Sequence, residues 1–120
     1  MSVSMVMRGE VVVVDFSITY PKAGKRPALV IQSDQNNLRM QNTIVAQITT
    51  NISRAHLMTQ LLIDEQHVDW KQSGLRAPSV VNCASLVTIT KSDVVVQIGH
   101  LSEETMQQID ECLKDALGMK

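Results

Sequence analysis

Val11-Val12-Val13-Val14-Asp15-Phe16 is a short apolar run in which every residue but two is a valine. Side chains branched at Cβ are stiff at χ1 and pack well on a pleated surface, so the run reads as a buried strand. Arg8-Gly9 precede it, and the stretch Ser17 to Lys25, with Pro21, Gly24 and two lysines, follows as a surface loop. Working outward, Pro27 opens a second strand, Ala28 to Gln32, proline being tolerated at a strand's first residue. Ser33-Asp34 caps a single helical turn through Asn36 and Asn37. Thr43 to Thr50 sets Ile44, Ala46 and Ile48 on one side against Thr43, Val45, Gln47 and Thr49 on the other, which predicts a third strand with one polar face. Leu57–Ile63, Ser79–Asn82, Leu86–Thr90 and Val94–Ile98 read as four more, with Gly74 and Pro78 as punctuation. Strands this short and this frequent suggest a barrel or a sandwich.

The tail differs. Ser102 stands at a helix start, Glu103 and Glu104 favour the positive end of the helix dipole, and Met106, Ile109, Leu113 and Leu117 recur at helical spacing up to Gly118. One amphipathic helix is expected to close the chain over an open end of the sheet. At 120 residues, with 44% hydrophobic and 19% charged side chains, there is room for a single domain spanning 1–120 and no disordered class fits. The core must be aliphatic, since Phe16, Tyr20 and Trp70 are the only aromatic residues. No apolar run reaches the roughly 18 residues of a membrane helix, and Met1 to Arg8 lacks a signal peptide's basic start, so a cytoplasmic location is expected. Cys83 and Cys112 are then reduced, buried thiols.

Net charge is only −1, but it is unevenly spread: residues 1–60 sum to +3 and residues 61–120 to −4. A basic face gathered from the first half would attract an anion such as a nucleic-acid backbone. His56, His67 and His100 lie too far apart in sequence for a zinc spacing, so no metal is expected. Scattered glycines exclude a phosphate-cradling loop, no serine sits in a nucleophile elbow, and Cys83 has no assignable base. What remains is Tyr20-Pro21-Lys22-Ala23-Gly24-Lys25-Arg26-Pro27, three cations in five positions leading into a strand. An arginine fork fixed there matches phosphate oxygens bidentately, although composition alone favours a solvated turn.

Five blocks carry a resemblance. Arg8-Gly9-Glu10-Val11-Val12-Val13-Val14-Asp15-Phe16, Gly24-Lys25-Arg26-Pro27-Ala28-Leu29-Val30-Ile31, Ile48-Thr49-Thr50, Ser79-Val80-Val81 and Gly99-His100-Leu101-Ser102 together resemble, in order and spacing, the MazF/PemK family of toxin endoribonucleases, from about Arg8 to about Leu117. The resemblance implies a mainly β fold, a small SH3-like barrel with a C-terminal α-helix, in a homodimer without cofactor or metal. It also implies cleavage of single-stranded messenger RNA and a cognate antitoxin as partner. The family's catalytic arginine and threonine fall on Arg26 and Thr49, and Lys22, Gly24, Lys25 and Thr50 on the RNA-binding surface.

Elementary chemistry is consistent with that carry-over. RNA supplies its own nucleophile, the ribose 2′-hydroxyl, so the protein has to align it with phosphorus and stabilise charge on the phosphoryl oxygens. Arg26 offers a permanent cation, Thr49 a hydroxyl beside it, and a 2′,3′-cyclic phosphate with a 5′-hydroxyl is the expected product pair. On residue statistics alone Thr49 is a strand former, Arg26 a surface partner of Asp34 or Glu10, and Glu10 and Asp15 structural. The chain departs from the family at Pro21, Lys22 and Ala23, which replace an acidic residue and glycines and leave the general base unassigned. Ser85 and Val87, before Thr88, replace a glutamine and an arginine. Two alternatives follow: a CcdB-like DNA gyrase poison acting through the terminal helix, or a catalytically inactive antitoxin-binding member.

Overall fold

The computed structural model describes residues 5–17 and 20–120. The readings over Met1 to Arg8 and Ser17 to Lys25 therefore fall partly outside the described residues.

Among the described residues six strands form one antiparallel sheet in the order β4-β5-β3-β2-β1-β6, with β1 at Glu10–Asp15, β2 at Lys25–Val30, β3 at Asn42–Thr49, β4 at Gln60–Ile63, β5 at Ser79–Thr90 and β6 at Val94–His100. Among the described residues three α-helices accompany them, α1 at Asp34–Arg39, α2 at Trp70–Ser73 and α3 at Glu103–Leu117. The fold is mainly β with a C-terminal helix, as expected, but one strand fewer was found than the seven expected. Ser79–Asn82 and Leu86–Thr90 are a single strand, β5, interrupted by a bulge: Ala46 faces Leu86 while its neighbour Gln47 faces Asn82. The three inserted residues, Cys83, Ala84 and Ser85, bend the strand without ending it. β4 starts at Gln60, leaving Leu57 and Met58 exposed in the preceding loop.

Alternation along the strands sends side chains into two apolar clusters. Val11, Leu29, Ala46, Ile48, Ile63, Val81 and Cys83 share one face with Met106, Ile109 and Cys112 of α3. Val12, Val14, Ala28, Val30, Val45, Ile89 and Val94 share the other with Val6 and Phe16. Each fully buried aliphatic side chain contributes about 2 kcal/mol of transfer free energy, so the sheet is stabilised from both faces mainly by aliphatic side chains, with Phe16 buried in the second cluster and Trp70 packed against the first.

Local signals set the helices. Ser33 caps α1 by accepting from the Asn36 N–H at 3.3 Å. Buried Asn37 of α1 accepts from Gln32 Nε2 at 2.9 Å and from the Thr43 hydroxyl at 2.7 Å, which ties the helix to β3. Ser102 caps α3, accepting from the Thr105 N–H at 3.3 Å, and Gly118 ends it. Of the expected apolar face, Met106 and Ile109 are buried and Leu113 half-buried, whereas Leu117 is 58% exposed and Cys112 and Thr105 take the inner positions instead. The Arg8 guanidinium pairs with Asp110 and donates from Nε to the Ile31 carbonyl at 2.8 Å, pinning α3 to the start of β1.

The sequence reading passed over α2, a four-residue turn. It packs against β6 with close backbone approach at two glycines. A Cβ at Gly99 would meet the Gln72 carbonyl oxygen at 2.2 Å, and one at Gly74 would meet the Ile98 carbonyl oxygen at 2.1 Å. Gly74 also has φ of +74°, which favours glycine. Asp69, just before α2, accepts from the Ser102 N–H at 2.8 Å and its hydroxyl at 3.0 Å, so the same turn anchors the start of α3.

Candidate functional site

Pro27 is not the first residue of β2 but its third, facing Val13 of β1. In an antiparallel pair the N–H groups of alternate residues point at a given neighbour. Ile31 donates to the Ile44 carbonyl at 2.9 Å, so Leu29 and then position 27 are the next to present their nitrogens to β3. Proline has no N–H to give. The ladder between β2 and β3 accordingly stops at Ala28↔Gln47. Continuing its register one step past Pro27 sets Arg26 opposite Thr49, on the face they share with Ala28 and Gln47.

Arg26 is exposed, and its Nε donates to the Ala23 carbonyl at 2.8 Å. That bond steadies the side chain against its own loop and leaves the two terminal nitrogens, four N–H donors, for a ligand. The loop is itself ordered by backbone bonds: Phe16 donates to the Gly24 carbonyl at 3.0 Å and Ala23 to the Tyr20 carbonyl at 2.8 Å, with Gly24 at φ of +67°. The carboxylates suggested as Arg26 partners are engaged elsewhere. Glu10 accepts from the Met7 N–H at 3.0 Å and Asp34 from the Arg8 N–H at 2.6 Å.

Thr49 is half-buried, and its hydroxyl oxygen accepts from the Asn51 N–H at 3.1 Å. Accepting that bond leaves the hydroxyl proton free to be donated. Thr49 lines a polar cup of about 340 Å³ with Asn51, Ser53, Arg54, Gln60 and Asn82. The sequence reading did not single out those five residues. Gln60 and Asn82 come from different strands and meet only because β4 pairs with β5 in that register.

The remaining positions scatter. Thr50 points away from Thr49 and lines a larger apolar cavity of about 680 Å³ with Val13, Pro27, Leu75, Val96 and Ile98. Lys25 faces Asp15 across β1 and β2. Asp15 is held below the ordinary carboxylate value chiefly by the Ser17 hydroxyl and N–H, with Lys25 a smaller cause. Lys22 is exposed in the loop. Phe16 is buried in the core and Tyr20 is half exposed. Among the described residues no three His, Cys, Asp or Glu side chains are grouped to hold a metal ion, and no helix is long and apolar enough to cross a membrane.

Comparison with known proteins sets these features in context. Residues 7–117 match the family described as PemK-like, MazF-like toxin of type II toxin-antitoxin system. Endoribonuclease EndoA of Bacillus subtilis is 36% identical over 117 residues, covering 96% of this chain and 97% of that protein. A solved endoribonuclease in complex with its cognate antitoxin, from a mycobacterial species, superposes with a TM-score of 0.77 at 22% identity, over 97% of this chain and 98% of the other. Mycobacterium tuberculosis toxin MazF-mt6 superposes with a TM-score of 0.75 at 25% identity, over 92% of this chain and 98% of that one.

Proposed function

The chain belongs to the PemK-like, MazF-like toxin family of type II toxin-antitoxin systems, and on that premise we propose that it is an endoribonuclease cutting single-stranded messenger RNA, with Arg26 and Thr49 as its catalytic residues. What supports the reading is the gap beyond Pro27, where the register of β2 and β3, continued past its last pair at Ala28↔Gln47, puts positions 26 and 49 opposite each other on one face. A phosphodiester laid there has its 2′-oxygen as internal nucleophile. That oxygen bonds to phosphorus as its proton passes to solvent, the bond from phosphorus to the 5′-oxygen breaks, and the 5′-oxygen takes a proton from solvent, giving a 2′,3′-cyclic phosphate and a 5′-hydroxyl.

Negative charge gathers on the non-bridging oxygens as phosphorus passes through five-coordination. Arg26 opposes it with a fixed positive charge on a side chain already oriented by the Ala23 carbonyl, and Thr49 adds a hydrogen bond from a hydroxyl whose oxygen is already satisfied. One preorganised donor of this kind is worth about 3 kcal/mol in the transition state. The nucleophile belongs to the substrate, so the step needs no metal-bound water. Lys22 and Lys25 steady neighbouring phosphates, Gly24 lets the loop turn, and Thr50 takes up the strand where it passes to the other face. In this reading the active species is a cytoplasmic homodimer restrained by a cognate antitoxin.

The test is cleavage of a single-stranded RNA in excess chelator, with product ends identified. Arg26→Ala is expected to lower kcat by about 100- to 1,000-fold, and Thr49→Ala to lower it as well, both at unchanged melting temperature because Arg26 is exposed and Thr49 makes one local bond. Intact RNA with the wild-type chain, or undiminished cutting after Arg26→Ala, refutes the assignment. Gyrase poisoning through α3 is not favoured, since the family match and the EndoA relative both point to the nuclease class.

A further inference from the structure

β3 ends at Thr49, and the chain that follows is organised by its own side chains. Thr49 Oγ1 accepts from the Asn51 N–H at 3.1 Å, and Asn51 Oδ1 in turn accepts from the Ser53 N–H at 3.2 Å. Two turns are thereby chained, each closed by a side-chain oxygen that takes the amide hydrogen two residues on. Backbone bonds continue the pattern, from the Ala55 N–H to the Ile52 carbonyl at 3.1 Å and from the Leu57 N–H to the Arg54 carbonyl at 3.0 Å. Thr49 itself is held from one side: the β2–β3 ladder stops at Ala28↔Gln47, which leaves its pairing with Val80 of β5. Asn51, Ile52, Ser53 and Arg54 are all exposed, so the turn is kept by hydrogen bonds rather than by burial.

We infer that Asn51 is a positioning residue for RNA cleavage: its carboxamide holds the turn from which its own N–H keeps the Thr49 hydroxyl in one rotamer. The inference rests on the nuclease reading above, in which Thr49 donates to a phosphoryl oxygen. The Cβ of a threonine carries a hydroxyl and a methyl group, and a rotation of about 120° around χ1 puts one in the place of the other. In the exchanged rotamer Thr49 would offer the phosphate a methyl group, which cannot donate. An N–H of fixed direction selects against that exchange, and its direction is fixed only while residues 51–53 stay in their turn. Asn51 thus acts through Thr49 and not by touching RNA. Its loss slows the chemical step by misplacing a donor and leaves the binding of RNA as it was.

Single-turnover cleavage of a single-stranded RNA in chelator separates the two kinds of effect. Asn51→Ala is expected to lower the rate at saturating RNA about tenfold, the worth of one net hydrogen bond, with the half-saturating RNA concentration unchanged. Asn51→Ser, whose hydroxyl can still accept from the amide two residues on, should recover to within about threefold of the wild type. In a Thr49→Ala background Asn51→Ala should add nothing, since the group it orients is gone. The rotamer is read without RNA from three-bond couplings between the Thr49 methyl carbon and its backbone nitrogen and carbonyl carbon. They should report one staggered rotamer in the wild type and in Asn51→Ser, and an average over rotamers in Asn51→Ala, which answers the question even where the Thr49→Ala background cuts too slowly to follow. The inference is overturned if Thr49 keeps a single rotamer in Asn51→Ala, or if the losses from Asn51→Ala and Thr49→Ala add in full. It is overturned equally if Asn51→Ala raises the half-saturating RNA concentration at an unchanged rate, which would make Asn51 a residue that grips RNA. A wild-type protein that cuts no RNA sinks the nuclease reading itself, a result told apart from the others by the couplings.

Discussion

Gly99→Ala adds a single methyl group where backbone atoms leave no room for it. The new methyl group would stand 2.2 Å from the Gln72 carbonyl oxygen and 2.4 Å from the carbonyl carbon and oxygen of Ser73. All three are backbone atoms, so no side chain can rotate aside. Restoring an ordinary contact of 3.4 Å requires α2 and β6 to separate by about 1.2 Å, and α2 cannot retreat alone. Asp69 at its start holds the Ser102 N–H and hydroxyl, and Leu75 just beyond it is part of the main core. Overpacking of this kind costs about 3 kcal/mol, which for a domain of this size lowers the melting temperature by roughly 10–15 °C. Differential scanning calorimetry of the two proteins at one concentration measures it. A Gly99→Ala protein melting within about 2 °C of the wild type would mean that the α2–β6 contact is looser than described, and the reasoning from Cβ clearance would fail.

Two further outcomes follow from titrating groups. Burial pulls the Asp69 carboxyl upward, but hydrogen bonds from Thr105 and Ser102 outweigh it and leave the group below its ordinary value of 3.8. A folded-state value below the unfolded one gives stability that is complete above about pH 4 and is lost as pH falls through the lowered value. Melting curves should therefore be flat near neutrality and decline in acid, while Asp69→Asn should be less stable by about 1 kcal/mol at pH 7 and decline less steeply; an identical acid profile would remove Asp69 from the account. Burial, reinforced by Cys112, pushes the Cys83 thiol up to about 12, and burial raises Cys112 too. At pH 8 roughly one Cys83 in ten thousand is thiolate. An aromatic disulfide reagent should label both cysteines rapidly in denaturant and at least a hundredfold more slowly in the folded protein, and equal rates would show that the β5–α3 core opens freely.

Much of the framework can be read from local signals. The valine run, the Ser33 and Ser102 caps and the Gly118 stop each depend on a few adjacent residues, and each stands where the sequence puts it. The bulge in β5 is not local. Cys83-Ala84-Ser85 looks like a break between two strands until β3 and β4 hold both halves in pairing. α2 is too short to show a period, and its seat on β6 depends on two glycines, 74 and 99, that have no relation in sequence. Arg26 and Thr49 were reached through the family resemblance, since residue chemistry alone left each an ordinary surface or strand residue; the register then gave a physical reason for considering them together. The alternation that puts Val45, Gln47 and Thr49 on one side of β3 was legible, because adjacent residues on a strand face opposite ways. The cup was not, since Asn82 and Gln60 become neighbours only through pairing.

Pro27 deprives the sheet of a single hydrogen, and the effect reaches well beyond its own ring. Zipping would otherwise continue, and Arg26 and Thr49 would become one more rung whose backbones were drawn together and sealed. A residue with a free amide there would make the sheet more continuous and the protein sturdier, while narrowing the opening that a polynucleotide needs.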